Sequence, residues 1–309
     1  MGNLNNEPID IVIPWVNPND DYWFEQYSYW KTKCTGMKSP ERIRDFGNFK
    51  YWFRSVEKYL PWVRYIFLVI PYKSSIPSWL NTEHPKLKII TQEDYLPAEY
   101  NPCFNSYVCT MYLHLIPGLG EHIIYSNDDM VFCKPQNECD YFENDMPVRT
   151  IQYSSGRSNR KGSMFQSNQY NAEEIIKCIT GRDFKFRVWH TNFVFNKAFI
   201  AFMWHKFGST FKKSLRNSKF RQSYNITDLV FDFAQQVTHN CIDKPVNKNT
   251  KYFGLRNNST AEEMLAVMRK YSVVCFNDNE FVRGDVSALQ RNLLCALDTM
   301  FNTKSSFEL

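Results

Sequence analysis

Near-continuous apolar runs, separated by helix-like segments, are the feature of this sequence that most constrains its fold. The runs lie at residues 9–13, 65–70, 87–91 and 122–126. Strands that are apolar along their whole length are typical of a parallel sheet buried on both faces. Between the first two runs, apolar residues recur at helical spacing, after a cap at Asn48 and before the breaker Pro61. They are Phe49, Trp52, Phe53, Val56 and Tyr59. We therefore predict an α/β fold with a mostly parallel, Rossmann-like sheet.

The second half of the chain predicts mainly helices. Helical signals lie at residues 172–179, 197–207, 227–237, 260–271 and 286–301, and a further helix is predicted earlier, over 106–116. A polar stretch at 154–171 predicts a surface loop, and residues 273–276 predict one more strand. We expect a Rossmann-like half at 1–150 and a helical half at 151–309, joined in one unit.

Composition restricts the class of protein. With 43% hydrophobic residues among 309, the chain can bury a large core and is not disordered. The nine cysteines form no Cys-x-x-Cys pair, which argues against a zinc ribbon or a disulfide framework and favours free thiols. No apolar run has the length of a membrane span and no signal peptide precedes the first strand, so we expect a soluble, cytoplasmic protein.

The net charge of +5 is concentrated in one acid-free stretch of ten residues. This stretch carries Lys212, Lys213, Arg216, Lys219 and Arg221. Such a stretch is usually a solvated surface, and its functional interpretation is contact with phosphate-bearing ligands or anionic lipid. Since no recognition motif accompanies the charge, we expect no nucleic-acid partner.

Two adjacent carboxylates follow the apolar run at 122–126, in the sequence Asn127-Asp128-Asp129. Ligands of open α/β sheets bind beyond the carboxyl ends of the strands, and acidic pairs there commonly hold Mg²⁺ or Mn²⁺. The alternative is an ordinary turn or helix cap. Asp20 follows the first strand in a similar way, and Asp278 follows the run at 273–276. The sequence therefore predicts a metal site at one edge of the sheet.

Four blocks together resemble the Stealth family of sugar-phosphate transferases, which includes bacterial capsular polysaccharide phosphotransferases and the catalytic core of the lysosomal-enzyme N-acetylglucosamine-1-phosphotransferase. The blocks are residues 9–20 (IDIVIPWVNPND), 44–63 (RDFGNFKYWFRSVEKYLPWV), 77–81 (PSWLN) and 104–130, which contains FNS and IYSNDDM. Shorter similarities lie at His190, at residues 220–223, at residues 275–279 and at the C-terminal end. The resemblance implies a glycosyltransferase-A-like, Rossmann-like sheet.

The resemblance also implies an activity. The enzyme would move a sugar-1-phosphate from a UDP-sugar donor to a hydroxyl of a glycan or lipid-linked saccharide acceptor and release UMP, in capsule or cell-surface polysaccharide synthesis. A conventional UDP-sugar glycosyltransferase, which releases UDP, is the alternative. Peripheral contact with the inner face of the membrane is a further expectation, based on the basic stretch.

Roles for individual residues follow from the resemblance together with their chemistry. Asp128 and Asp129 would hold the metal ion, with Asp20 as a further ligand or base. His190 would be the general base and Arg221 would neutralise the transferred phosphate. Donor-binding roles are expected for Asn17, Arg44, Asp45, Arg54, Asn105, Ser106 and Asn127, and a site role for Asp278. Where residues 224–225 replace acidic residues usual in the family, an acidic role would pass to Asp228.

Overall fold

The computed structural model describes residues 7–153, 158–181, 186–188, 191–245, 249–279 and 281–309. The helices are α1 Asp21–Lys33, α2 Phe49–Tyr59, α3 Ser106–Met111, α4 Met164–Thr180, α5 Lys197–Leu215, α6 Leu229–Val237, α7 Ala261–Lys270 and α8 Ser287–Met300. The strands are β1 Ile9–Pro14, β2 Ile66–Ile70, β3 Leu87–Thr91, β4 His122–Tyr125, β5 Met130–Phe132, β6 Phe142–Glu143, β7 Met146–Tyr153, β8 Phe186–Val188, β9 Phe193–Asn196, β10 Ile242–Pro245, β11 Thr250–Gly254 and β12 Val273–Asn277.

The central sheet has the strand order β3-β2-β1-β4-β9. The first four strands are parallel and β9 is antiparallel to β4. Every residue of β2 and β4 is buried, because apolar clusters pack on both faces of the sheet. One cluster includes residues of α3, α5 and α6, and the other includes the aromatic side of α2. The predicted α/β class with a mostly parallel sheet is confirmed.

Two smaller sheets adjoin the central one. In the first, β11, β12 and β5 lie side by side, with β12 antiparallel to β5. In the second, β7 pairs with β10, β6 and β8. The chain passes from β4 of the central sheet to β5 of the small sheet through residues 126–129. This link carries the predicted metal-binding carboxylates between two sheets.

Most of the predicted elements are present, and α2 and β3 occupy the predicted residues. The helix predicted over 106–116 is shorter, because α3 ends at Met111 and a single 3₁₀ turn, Leu113–Leu115, follows. The helix predicted over 197–207 extends to Leu215. The Thr260 capping box is present, with Thr260 Oγ1 accepting from the Glu263 N–H.

The loop predicted at 154–171 is wrong for residues 164–171, which form the first two turns of α4. Three of the polar residues that favoured a loop, Ser167, Asn168 and Gln169, are buried on this helix. Asn168 is fully buried, and its amide donates to the carbonyls of Gln222 (2.7 Å) and Asn225 (2.9 Å). A helix face whose polar side chains donate hydrogen bonds to the backbone of another segment therefore resembles a loop in composition.

The cysteine prediction is confirmed, since all nine cysteines are free of disulfide bonds. Over the part of the chain that the structure describes, none of the helices combines the length and apolar character needed to span a bilayer.

Candidate active site at the carboxyl edge of the central sheet

A cavity of about 1100 Å³ opens beyond the carboxyl ends of β1 and β4. Its wall is built from the end of β1, residues 37–45, the start of α3, residues 127–129, the start of α4 and residues 220–229. Parallel strands bring their carboxyl ends to one edge, which is why segments distant in sequence meet here. The volume lies just above the usual range for small-molecule sites, so the cavity is large enough for a ligand of that class.

Acidic residues form one part of the wall. Asp45, Asp128 and Asp129 all line the cavity. Burial among protein atoms, followed by the charges of Asp129 and Asp45, raises the pKa of Asp128 to about 7. Burial also raises the pKa of Asp45, opposed by the hydrogen bond from the Gly47 N–H (2.8 Å). Because Asp128 has solvent access from the cavity, cavity water screens this repulsion in part.

Asp129 is held by β12. Its Oδ2 accepts from Asn277 Nδ2 (3.2 Å) and from Cys275 Sγ (3.2 Å), and its backbone carbonyl accepts from the Phe276 N–H (2.8 Å). Its Oδ1 is buried and accepts no hydrogen bond from the described residues. An orphaned carboxylate oxygen beside two other carboxylates is costly without a cation.

This donor set fits Mg²⁺ or Mn²⁺. Mg²⁺ is usually bound through one or two carboxylates, with the remaining positions filled by water and substrate phosphates. Asp128 and Asp129 supply such a pair. Within the described ranges, no three His, Cys, Asp or Glu side chains converge to form a complete protein-only metal cage. The arrangement therefore suits an ion that arrives with a phosphorylated ligand better than a structural metal.

Arginines form another part of the wall. Arg221 has only 9% of its surface exposed, and its Nη2 donates to Ser106 Oγ at 2.6 Å. Its guanidinium lies over the Tyr107 ring, 3.6 Å from the centroid. Burial lowers the pKa of Arg221. Burial, followed by repulsion from Arg221, lowers the pKa of Arg42 to about 10. Two guanidiniums close enough to repel each other form a site for a multiply charged anion.

Asp228 lies in the same wall, at the start of α6. It is 7% exposed, and burial raises the pKa of its carboxyl group to about 6, against the opposing charge of Arg221. A carboxylate that titrates near neutrality beside an anion-binding arginine has the properties of a general base.

The cavity brings together many of the predicted site residues. Those in its wall are Arg44, Asp45, Asn105, Ser106, Asn127, Asp128, Asp129 and Arg221. His190, the predicted general base, lies outside the described residues. Arg44 is anchored by Asp278, with 3.2 Å between Nη1 and Oδ1, so Asp278 holds a cavity residue without lining the cavity.

Asp20 does not have the predicted role of metal ligand or base. It is the N-cap of α1: Oδ1 accepts from the N–H groups of Tyr22 and Trp23, and Oδ2 accepts from the hydroxyls of Ser74 (2.9 Å) and Ser75 (2.5 Å). Four accepted hydrogen bonds use both oxygens. This corrects the prediction for Asp20.

The donor-binding prediction for Arg54 is corrected as well. The guanidinium of Arg54 binds the Glu308 carboxylate through Nε and Nη2, both at 2.7 Å, and donates to the Phe301 carbonyl. It does not line the cavity. Asn17 makes a local turn, in which its Oδ1 accepts from the Asn19 N–H (3.0 Å), and its role in donor binding stays a prediction.

Asn105 lines the cavity, but its side chain is the N-cap of α3. Oδ1 accepts from the Tyr107 N–H, while Nδ2 donates to the Ser218 carbonyl (3.2 Å) and Asn225 Oδ1 (3.0 Å). Its amide is thus occupied, and it positions Ser106 and Tyr107, the residues that contact Arg221.

Sequence reasoning missed Arg42 and Tyr107 as site residues. Arg42 lies just before the Arg44-Asp45 block, so its place near the predicted donor residues was a usable signal. Tyr107 gave no such signal, because an aromatic residue in a helix is usually core and its contact with Arg221 joins residues 114 positions apart.

Comparison with known proteins finds a family match over part of the chain. A family model described as "Stealth protein CR2, conserved region 2" matches residues 42–150. Over these residues the chain is similar to the Stealth family. The chain is 28% identical to the receptor polysaccharide phosphotransferase WefC of Streptococcus gordonii, over 98% of this chain and 99% of that protein. Identity to the capsular polysaccharide phosphotransferase WcwK of Streptococcus pneumoniae is 28%, with 98% of this chain and 99% of that protein covered.

A third relative is the exopolysaccharide phosphotransferase cps2G of Lactiplantibacillus plantarum, with 27% identity over 97% of this chain and 96% of that protein. Among solved structures, a crystal structure of the galactosyltransferase LgtC in complex with donor and acceptor sugar analogues aligns with 96% of this chain and 98% of its own. The TM-score is 0.45 and the identity is 11%.

Proposed function

We propose that this protein transfers a sugar-1-phosphate from a UDP-sugar to a hydroxyl group of a glycan acceptor and releases UMP, in capsule or exopolysaccharide synthesis. The observation that carries the proposal is the pairing, in one cavity, of the carboxylates Asp128 and Asp129 with the guanidiniums Arg42 and Arg221. The names of three relatives that match nearly the full chain support the class of reaction.

Phosphoryl transfer requires charge neutralisation and alignment more than covalent chemistry. Mg²⁺ or Mn²⁺, held by Asp128 and Asp129, would neutralise charge on the pyrophosphate and stabilise the UMP leaving group. Arg221 would bind the oxygens of the transferred phosphate, because its orientation is fixed by Ser106 and Tyr107. Arg42 would contact the same diphosphate from the exposed side of the cavity.

A base must accept the proton of the acceptor hydroxyl as its oxygen attacks phosphorus. The new bond joins that oxygen to the sugar phosphate, and the bond that breaks lies between this phosphate and UMP. Asp228 is the candidate in the cavity wall, and His190 is the second candidate, supported by the family resemblance. Either group has chemistry suited to accept a proton near neutral pH.

Conventional glycosyl transfer is the alternative. It would use the same acidic edge but would break the bond at the sugar carbon, so that UDP would leave. The relatives favour phosphate transfer, because three that match nearly the full chain are named phosphotransferases.

The released nucleotide tests the proposal. The protein is incubated with UDP-N-acetylglucosamine or other UDP-hexoses, with glycan acceptors, and with Mg²⁺, Mn²⁺ or EDTA, and nucleotides are separated by chromatography. We expect metal-dependent UMP. UDP would establish glycosyl transfer instead, and neither nucleotide across these donors would contradict both reactions.

Asp128→Asn and Asp129→Asn should each lower the rate at least about 100-fold, because each removes a charge that holds the metal ion. Asp145→Asn is the matched control. Asp145 is 63% exposed and adopts a positive φ of 62° that Asn also tolerates. The reaction rate of Asp145→Asn should therefore equal that of the unsubstituted protein.

A further inference from the structure

The exposed side of α5 is strongly basic. Here the α5 basic face means Phe202, Lys206, Lys212, Lys213 and Arg216. These residues are exposed and fall on one side of the helix, while Ile200, Met203, Phe211 and Leu215 are buried on the other. The basic charge is therefore arranged on a surface rather than scattered.

The sequence around α5 contains no acid. Between Asp183 and Asp228 there is no Asp or Glu, while Lys and Arg occur nine times. The whole chain has 37 basic and 32 acidic residues, so the remainder carries 28 basic residues against 32 acidic ones. The basic charge is thus concentrated in the segment of the chain that contains this helix.

Within the described part of the chain, the cations of this face have no carboxylate partner. No ion pair joins Lys206, Lys212, Lys213 or Arg216 to an acid among the described residues. The carboxylate of Glu121 binds the Ala198 N–H at the opposite end of α5, roughly 20 Å along the helix from Lys212. Unpaired cations on a protein surface favour an anionic partner.

An exposed aromatic accompanies the charge. Phe202 is 51% exposed, and the ammonium of Lys206 lies 5.9 Å from its ring centroid. Tyr224, 39% exposed, lies under Arg216 at 5.0 Å beside the C-terminal end of α5. Basic side chains with aromatic residues on an amphipathic helix are typical of helices that lie in the head-group region of a bilayer.

We propose that the α5 basic face binds the surface of an anionic phospholipid membrane, with Lys206, Lys212, Lys213 and Arg216 on the head groups and Phe202 at their inner boundary. Charge complementarity selects this occupant, and the exposed Phe202 favours lipid over nucleic acid. From Arg216, five residues lead to Arg221 in the cavity wall. The face therefore holds the cavity near the bilayer.

Vesicle binding tests the proposal without turnover, so its outcome is independent of the proposed reaction. The full chain is mixed with vesicles of neutral phosphatidylcholine or with 30% phosphatidylglycerol, and bound protein is measured by flotation. We expect binding to the anionic vesicles only, weakened by salt. Each lysine near an anionic surface contributes about fivefold, so Lys212→Ala with Lys213→Ala should weaken binding about 25-fold.

Arg269→Ala with Lys270→Ala is the matched control, since this exposed basic pair also occupies the last turn of a helix, α7. It should change binding less than twofold. Phe202→Ser should weaken binding by severalfold, whereas Phe281→Ser, at a residue 70% exposed, should not.

Three results would overturn the proposal: no binding to anionic vesicles, equal binding to neutral ones, or equal losses in the lysine variant and its control. Binding of a DNA duplex that requires Lys212 and Lys213, without vesicle binding, would assign the face to nucleic acid instead.

Discussion

Arg221 is the residue whose surroundings most directly indicate its task. Its Nη2 donates to Ser106 Oγ and its plane lies on Tyr107. Arg221→Lys keeps the charge but loses the planar fork and the stacking. We expect kcat to fall about 10- to 100-fold. Steady-state kinetics measure this, with Arg216→Lys, at an exposed site, as the control that stays unchanged.

Asp228 predicts a pH dependence. Its carboxyl must be deprotonated to accept a proton, so kcat/KM should rise with pH and level off above its pKa of about 6. Asp228→Asn should lower kcat/KM about 10²- to 10⁴-fold and remove this rise. If the rise survives in Asp228→Asn but is lost in His190→Gln, His190 is the base.

The same carboxyl affects stability in the opposite direction. Its folded pKa, about 6, exceeds the ordinary value of 3.8, so the folded state binds more protons between these values. The contribution of Asp228 to the free energy of unfolding therefore falls as pH rises from about 4 to 6. Urea titrations across this range should show a flatter dependence for Asp228→Asn.

At the scale of elements, one close approach positions the segment that carries Arg221. Gly36 has a φ of +121°, and a Cβ there would lie 2.7 Å from Phe220 Cβ and 2.9 Å from the Arg221 carbonyl. Gly36→Ala should therefore destabilise the protein by about 1–3 kcal/mol and also lower turnover.

Gly181→Ala separates backbone strain from displacement of Arg221. Gly181 has a φ of +68°, with nothing within 4 Å of the added Cβ. Gly181→Ala should lower the free energy of unfolding, measured with urea, by about 1 kcal/mol and leave kcat unchanged. Equal kcat in both variants would contradict the positioning role of Gly36.

The elements were more predictable from sequence than the site. The apolar runs of β1 to β4 and the helical periodicity of α2 are local features of the sequence. They predict these elements correctly because burial of apolar side chains determines both the strands and the helix. α4 was predicted too short because Asn168 and its neighbours serve a partner segment about 54 residues away. The composition of residues 164–171 alone gives no information about that partner.

The site was predicted in part for a related reason. Adjacent carboxylates at a strand end are visible in sequence, so Asp128 and Asp129 can be predicted as candidates, and both lie in the cavity wall. Whether Asp20 or Arg54 faces a ligand depends on distant partners: Ser75 lies 55 residues from Asp20 and Glu308 lies 254 residues from Arg54. Such pairs form only in the folded chain.

For the whole molecule, the ion pair between Arg54 and Glu308 fastens residues 305–309 to α2. Arg54 is 8% exposed and the Glu308 side chain 3% exposed. Glu308→Ala leaves the buried Arg54 guanidinium with the Phe301 carbonyl and the Asp298 carboxylate, 3.8 Å away, as its remaining partners. It should therefore lower the free energy of unfolding by about 3 kcal/mol, the lower end of the range for a broken buried ion pair. Urea unfolding measures this, and the KM for the donor should stay unchanged because Arg54 does not line the cavity.

The link from β4 to β5 has a consequence for the molecule as a whole. Asp128 and Asp129 lie where the chain crosses from the central sheet to the sheet of β5, β12 and β11, and Asp129 is bonded to both Asn277 and Phe276 of β12. A cation fixed there would cross-link the two sheets. When metal and nucleotide are added together, the amide hydrogens of β11 and β12 should therefore exchange more slowly with deuterium.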